Sequence, residues 1–358
     1  MLLRKQKPYL AVMFIQLSFA GMFLLSKVTI SGSGMKSPIF VAYRQAFAAV
    51  ALAPFAFICT KTSATTPPLS CLAYFKLFVI SSYGITLTLN LSFAGLKYTS
   101  ATFATAILNI VPVFVFVMSV ISRVEKLDIR EWHGMAKVLG TMFGFLGAMV
   151  FTFYKGPSLF SSSNSEISHP DLIKSSNGSN KDWIKGSSLM LAGQFTWSMW
   201  LTMQGPLLKQ YPGKLRLTFL QIGFSCISAM IYGASMTRDI SWWKLGWNVS
   251  LLTVVYCGII VNALVYWLQA WVVEKKGAVF SANFGPFATI FAAIVSAIFL
   301  KETLYMGCVI GGLLLVVGLY SFLWGRRKEA QQNLDPSNGE AHLEGIITST
   351  NGMERDEK

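Results

Sequence analysis

The chain has 358 residues, of which 53% are hydrophobic and only 13% charged, with a formal net charge of +14. Soluble domains carry about 25% charged residues, so this chain has too little polar surface to clothe a water-soluble globule, and a bilayer must supply most of its solvent. Nor does the positive charge point to nucleic acid, because Lys and Arg sit in short segments between apolar runs rather than along one stripe or arm.

From the N-terminus, runs of about 20 largely apolar residues, enough for a helix to cross the hydrocarbon, fall at 9–30, 38–59, 73–94, 101–122 and 133–154. After a polar stretch at 155–185 they resume at 186–205, 216–236, 248–271, 278–300 and 304–324. The pattern predicts an all-α integral membrane protein with ten transmembrane helices. The first run follows Arg4, Lys5 and Lys7 as in a secretory signal. It is too long for a signal h-region and has no small-residue cleavage site, so it reads as an uncleaved span.

Ten spans place both termini on one side, and the distribution of Lys and Arg chooses that side. One set of alternate segments holds 15 such residues: Arg4, Lys5, Lys7, Lys61, Arg123, Lys126, Arg130, Lys209, Lys214, Arg216, Lys275, Lys276, Arg326, Arg327 and Lys328. The other holds ten, four of them in the long segment 155–185, where charge has less topological force. Cytosolic termini are predicted. On that orientation 155–185 is a polar extracytosolic linker, carrying the glycosylation sequon Asn177-Gly178-Ser179, and 325–358 is a disordered cytosolic tail.

Cys59, Cys71, Cys226, Cys257 and Cys308 are scattered through or beside apolar runs without a CxxC pair, which indicates neither a disulfide framework nor a zinc site. No metal-ligand cluster, phosphate loop or paired nucleophile and base occurs among the spans. Neither an enzyme nor a bound cofactor is expected.

Sliding the chain by 177 residues superposes Ala101 on Ala278, Phe103 on Phe280, Ser119 on Ser296, Ile121 on Ile298, Glu125 on Glu302 and Leu127 on Leu304. A slide of 171 brings Gly140 onto Gly311 and Gly147 onto Gly318. Spans four and nine, and five and ten, therefore read as equivalents. Because a five-span unit crosses an odd number of times, two in tandem insert with opposite orientation, the inverted repeat found in many secondary transporters.

The segments "YLAVMFIQLSFAGMFLLSK" (9–27), "FVAYRQAFAAVALAPFAF" (40–57), "LKYTSATFATAILNIVPVF" (96–114), "LKQYPGKLRLT" (208–218), "WVVEKKGAVFSANFGPF" (271–287) and "LYMGCVIGGLLLVVGLYSFLWG" (304–325) follow one another in a specific order. In that order the chain resembles the plant branch of the drug/metabolite transporter superfamily with paired EamA domains, the nodulin-like or walls-are-thin-related group. The resemblance covers residues 8 to 325 apart from the central loop. It implies two inverted five-helix EamA repeats, at 1–154 and 186–324, and transport of small organic solutes. The group includes amino-acid facilitators and an auxin transporter. One departure is Gly285, where the group often has Asn before the proline of span nine.

A transporter needs a polar site near the midplane of the bilayer. Pro112 and Pro286 lie within spans four and nine, each preceded at three residues by an asparagine, Asn109 and Asn283. Proline removes a backbone donor and frees a carbonyl, so the two can form a paired gate or cradle, or simple kinks. Gln16, Asn90, Gln194, Gln221 and Asn262 are further polar residues within spans, able to bind solute or to join helix to helix. Trp197 and Tyr266 lie deeper than an interfacial belt requires and are candidates for the cavity wall, whereas Tyr83 and Trp200 also fit as anchors.

Arg44, inside span two without an acidic neighbour in sequence, is able either to attract a substrate carboxylate or to snorkel to the interface. Since no Asp or Glu falls inside a span and His133, His169 and His342 lie at a span edge, in a loop and in the tail, a facilitator without a proton relay is predicted. Glu125 reads as either a tether or a solvated loop charge. Glycines at 140–147 and 311–318 allow close helix approach, with a homodimer face as one use.

The expected partners are a small-molecule substrate and the lipid bilayer, with no nucleic acid. The expected location is the plasma membrane or the vacuolar membrane. A receptor or scaffold that signals without transport is the rival from another class, disfavoured by the short loops.

Overall fold

In a computed structural model the described residues are 2–33, 35–62, 70–96, 98, 107–125, 127–128, 130–154, 157, 180–211, 213–237, 239–243, 245–246, 248–299 and 306–332. The Asn177 sequon, His169, His342, Glu302 and the repeat positions Ala101, Phe103 and Leu304 lie outside them. Among the described residues there is helix and no strand.

In chain order the helices are α1 (Leu2–Ser33), α2 (Ser37–Thr62), α3 (Cys71–Gly95), α4 (Val111–Ile121), α5 (Trp132–Phe153), α6 (Asn180–Gln210), α7 (Lys214–Met236) and α8 (Val249–Lys276). Then come α9, in two pieces (Ala278–Asn283 and Phe287–Phe299), and α10 (Met306–Gln332). Seven of them, α2, α3, α5, α7, α8, α9 and α10, are long and apolar enough to cross a membrane, and α4 is a shorter apolar helix. The helices α1 and α6 run for 32 and 31 residues.

Local chemistry sets several boundaries. The Ser70 hydroxyl accepts the Ala73 amide at 3.2 Å to start α3, and Asn248 Oδ1 accepts the Ser250 amide at 3.1 Å to start α8. Gly277, at φ 85°, turns α8 directly into α9, a backbone that side chains resist. Several ends outrun the sequence expectation: α1 begins at Leu2 rather than at 9, α6 outruns 186–205 at both ends, and α10 continues to Gln332, eight residues into the segment expected as tail. The continuation of α10 is tethered, because its Glu329 pairs with Lys137 of α5.

The helices that carry Pro112 and Pro286 break, whereas α1, α2 and α6 run on through Pro8, Pro54 and Pro206. Asn109 and Ile110 form a turn ahead of α4, with the Ile110 amide bonded to Ile107 O at 3.1 Å. In α9 residues Phe284, Gly285 and Pro286 separate the pieces, and the Gly285 amide bonds to Ala282 O at 2.8 Å. At Pro112 and Pro286 the missing N–H leaves a gap in the regular ladder, and tight three-residue bonds take its place.

The packing obeys an approximate two-fold exchange of α1–α5 with α6–α10. Equivalent helices pack on each other in the pairs α2 with α7, α4 with α9 and α5 with α10. Other contacts come as image pairs: α1 with α8 and α6 with α3, α1 with α9 and α6 with α4, α2 with α8 and α7 with α3. At the α5–α10 seam a Cβ on Gly318 would stand 2.5 Å from the Gly144 nitrogen, and one on Gly147 2.7 Å from the Leu315 nitrogen. These glycines are thus occupied within one chain.

Charged and aromatic contacts gather at the two ends of the bundle. At one end Lys137 bridges Glu125 at 3.0 Å and Glu329 at 2.5 Å, Lys214 pairs with Glu274 at 2.7 Å, and the ring of Phe280 meets both Tyr9 and Arg326. Glu125 is therefore a tether rather than a solvated loop charge, since Lys137 is 1% exposed and demands a counter-charge. At the other end Lys36 lies over Trp242, Lys185 over Tyr98, and Tyr43 against Trp243.

Candidate functional site

Two helices at equivalent places in the halves, α3 and α8, depart from α-helical winding in the same way. Ser82–Leu87 and Tyr256–Val265 are π-helical, a form that is rare and frequent at functional sites. Widened turns displace side chains from the regular register. In α8 the π segment carries Asn262, fully buried, toward α2.

Asn262 joins two neighbouring residues of α2. Its Oδ1 accepts from Arg44 Nη2 at 2.6 Å, and its Nδ2 donates to Gln45 Oε1 at 3.2 Å. The Arg44 guanidinium, 2% exposed, also touches Met22 Sδ at 3.6 Å and stands 5.9 Å from the centre of the Phe40 ring. Among the described residues no carboxylate pairs with it, and Arg44 Nε and Gln45 Nε2 have no hydrogen-bond partner. This end of the site therefore holds one buried positive charge and spare donors only.

Four residues beyond Asn262, Tyr266 begins an aromatic shelf. Its ring centre lies 5.8 Å from that of Trp197 and 5.6 Å from that of Trp200, and the two tryptophans of α6 stack at 4.8 Å. Trp200 is buried, with its indole N–H unpartnered, so it belongs to the shelf and not to an interfacial belt. Gly84, in the π segment of α3, makes room for it, since a Cβ there would stand 2.5 Å from Trp200 Cβ.

Beyond the shelf lies a layer of amides. Gln204 of α6 donates to Gln221 Oε1 of α7 at 3.2 Å, and Gln269 is buried on α8. The structure thus brings Arg44, Asn262, Tyr266, Trp197 and Gln221 to one group of four helices, α2, α6, α7 and α8.

Other expected residues serve the helices themselves. Asn90 Nδ2 bonds to Thr86 O at 2.8 Å within α3, Asn283 Nδ2 to Val279 O at 3.0 Å within α9, and Gln194 Nε2 to Ser92 Oγ at 3.3 Å between α6 and α3. Gln16 is buried in α1. Asn109 accepts from Thr289 Oγ1 at 3.3 Å, joining the breaks of α4 and α9, where Pro112 opens one helix and Pro286 interrupts the other.

Three members of the site escaped the sequence reading: Gln45, Gln204 and Gln269. A signal existed for two. Gln269 follows Asn262 by seven residues and Gln204 follows Trp197 by seven, the spacing of one helix face.

Comparison with known proteins agrees with this architecture. The EamA-like transporter family matches the chain twice, over residues 6–153 and 184–324. A WAT1-related protein of Arabidopsis thaliana is 46% identical over 92% of this chain and 94% of its own, and a second is 40% identical over 93% and 94%. A crystal structure with 14% sequence identity shares the fold, at a TM-score of 0.67 over 90% of this chain and 97% of that one. The chain belongs to the EamA-like transporter family, as a multi-pass membrane protein and a transporter of small solutes.

Proposed function

We propose that the chain is a ten-span facilitator of two inverted five-helix repeats, 1–154 and 186–324, that moves small organic solutes bearing a carboxylate, amino acids first. Both termini face the cytosol, the membrane is the plasma or vacuolar membrane, 155–185 is an extracytosolic linker, and the chain beyond α10 is a cytosolic tail. The observation that carries the substrate class is Arg44. A cation left in a protein interior without a counter-ion is destabilising by several kcal/mol, and its partner among the described residues is the neutral Asn262. A bound carboxylate supplies the missing charge and meets the spare Arg44 Nε and Gln45 Nε2.

The aromatic shelf beside this charge supports a second reading within the same class. An indole or other planar carboxylate of the auxin kind fits a wall of Trp197, Trp200 and Tyr266. Asn109, Pro112, Asn283 and Pro286 act as the gate, because breaks in α4 and α9 give each half a place to bend where the halves touch.

Flux of amino acids, auxin and purines into proteoliposomes holding purified protein tests this function. Uptake of carboxylates that Arg44→Met removes is the expected result. Equal uptake of carboxylates by both proteins overturns the role of Arg44, and no flux of any solute favours a receptor. Labelling of single cysteines introduced at positions 2 and 350 tests the orientation, with both expected to react from the cytosolic side.

A further inference from the structure

The far end of the site is unlike its Arg44 end. On α8 Gln269 follows Tyr266 by three residues of regular α-helix, which keeps those two on one face, and it follows Asn262, in the π segment, by seven, at most about 10 Å of rise at 1.5 Å per residue. Helices α6 and α8 advance side by side: Trp200 meets Tyr266, and further along Leu207 and Leu208 share an apolar cluster with Ala270. Gln204, four residues past Trp200, therefore stands level with Gln269, and its hydrogen bond holds Gln221 in the same layer.

These glutamines are buried at 2% (Gln204), 2% (Gln221) and 4% (Gln269) exposure, yet Gln269 Oε1 and Gln221 Nε2 have no hydrogen-bond partner among the described residues. Buried polar atoms are nearly always paired. One open acceptor and one open donor in a single layer are the complement of a primary carboxamide, which offers an NH2 and a C=O from one carbon. The Arg44 end, with donors alone, has no such match.

We propose that Gln269 and Gln221 form a side-chain subsite that selects amino acids ending in a carboxamide, glutamine foremost. Gln269 Oε1 accepts from the amide NH2, Gln221 Nε2 donates to its carbonyl, and the methylenes lie along Tyr266 and the two tryptophans. The subsite rests on the carboxylate position proposed for Arg44. Lengths are comparable: extended glutamine spans about 6 Å from carboxyl carbon to amide nitrogen, and two hydrogen bonds of about 3 Å bring the reach to about 12 Å. Glutamate directs an anion at the Gln269 oxygen, and methionine leaves both amide atoms unpaired.

The experiment is uptake of labelled methionine into proteoliposomes containing the full chain, with unlabelled glutamine, glutamate and methionine as competitors. Glutamine is expected to compete at least tenfold better than either of the others, and equal competition by glutamine and methionine overturns the subsite without any variant. Gln269→Met is expected to bring the glutamine-to-methionine ratio within about twofold, while an unchanged ratio assigns Gln269 to structure alone. Arg44→Met separates the two proposals. If its uptake of both amino acids stays at the wild-type level while Gln269→Met still erases the preference, the carboxylate position is wrong and the amide subsite stands.

Discussion

Lys137 and Glu329 form an ion pair that fastens the start of α5 to the last turns of α10, and Glu125 closes on the same ammonium from the segment after α4. Three parts of the chain are thereby pinned at one level of the bundle. A buried cation stripped of its carboxylates is destabilising by about 3 kcal/mol or more. Glu125→Gln combined with Glu329→Gln should therefore lower the unfolding midpoint in detergent well beyond the sum of the single changes. Adding Lys137→Met to the pair should recover most of the loss. Additive single effects would show that the three side chains do not act as one cluster.

Arg44→Lys should not substitute for arginine. The guanidinium reaches Asn262 through Nη2 while leaving Nε free, a two-sided geometry that an ammonium does not reproduce. Carboxylate uptake is expected to fall at least tenfold in this variant, and wild-type uptake would argue for a purely electrostatic role.

Gly84→Ala should cripple the aromatic shelf from the far side. The new methyl group meets Trp200 Cβ at 2.5 Å, and overpacking of this kind is destabilising by about 1–3 kcal/mol. A rise in the apparent KM for uptake is expected as Trp200 is displaced. An unaltered KM would remove Trp200 from the solute's surroundings.

Pro112→Ala and Pro286→Ala should restore regular helix across the breaks of α4 and α9. If bending there accompanies exchange of the site between the two membrane faces, maximal flux falls while solute affinity holds. A change in affinity alone would make the prolines part of the solute's walls and not of the gate.

Imposing a pH gradient on proteoliposomes should not drive uphill accumulation. The buried charged residues among those described are Arg44 and Lys137, with no buried Asp or Glu to serve as a proton relay. Accumulation that follows the gradient would contradict facilitation.

Much of the helix framework was legible because apolar length is the strongest signal a membrane imposes on a sequence. Proline acts through its own backbone, yet Pro8, Pro54 and Pro206 lie inside unbroken helices, so proline alone does not mark a break, and the breaks at Asn109 and Phe284 were legible only in part. The π segments were not: Tyr256–Val265 contains no proline and reads as ordinary apolar helix, and its extra winding is decided by what packs around it. The role of Gln269 was hidden for a related reason. An amide on a helix face looks the same whether its oxygen is paired or open, and that difference appears only when neighbouring helices are in place. The sequence left Trp200 open between cavity wall and anchor, because burial beside Gly84 depends on a helix from the other half.

Phe280 touches Tyr9 near the beginning of α1 and Arg326 near the end of α10, so the chain comes back almost to where it set out and its outline is nearly a ring. The contacts between halves do not care which half is synthesised first. A circular permutant that starts at α6, ends at α5 and joins α10 to α1 by a short polar bridge would keep every helix neighbour described. Order along the gene and order in the bilayer are separable properties of this architecture.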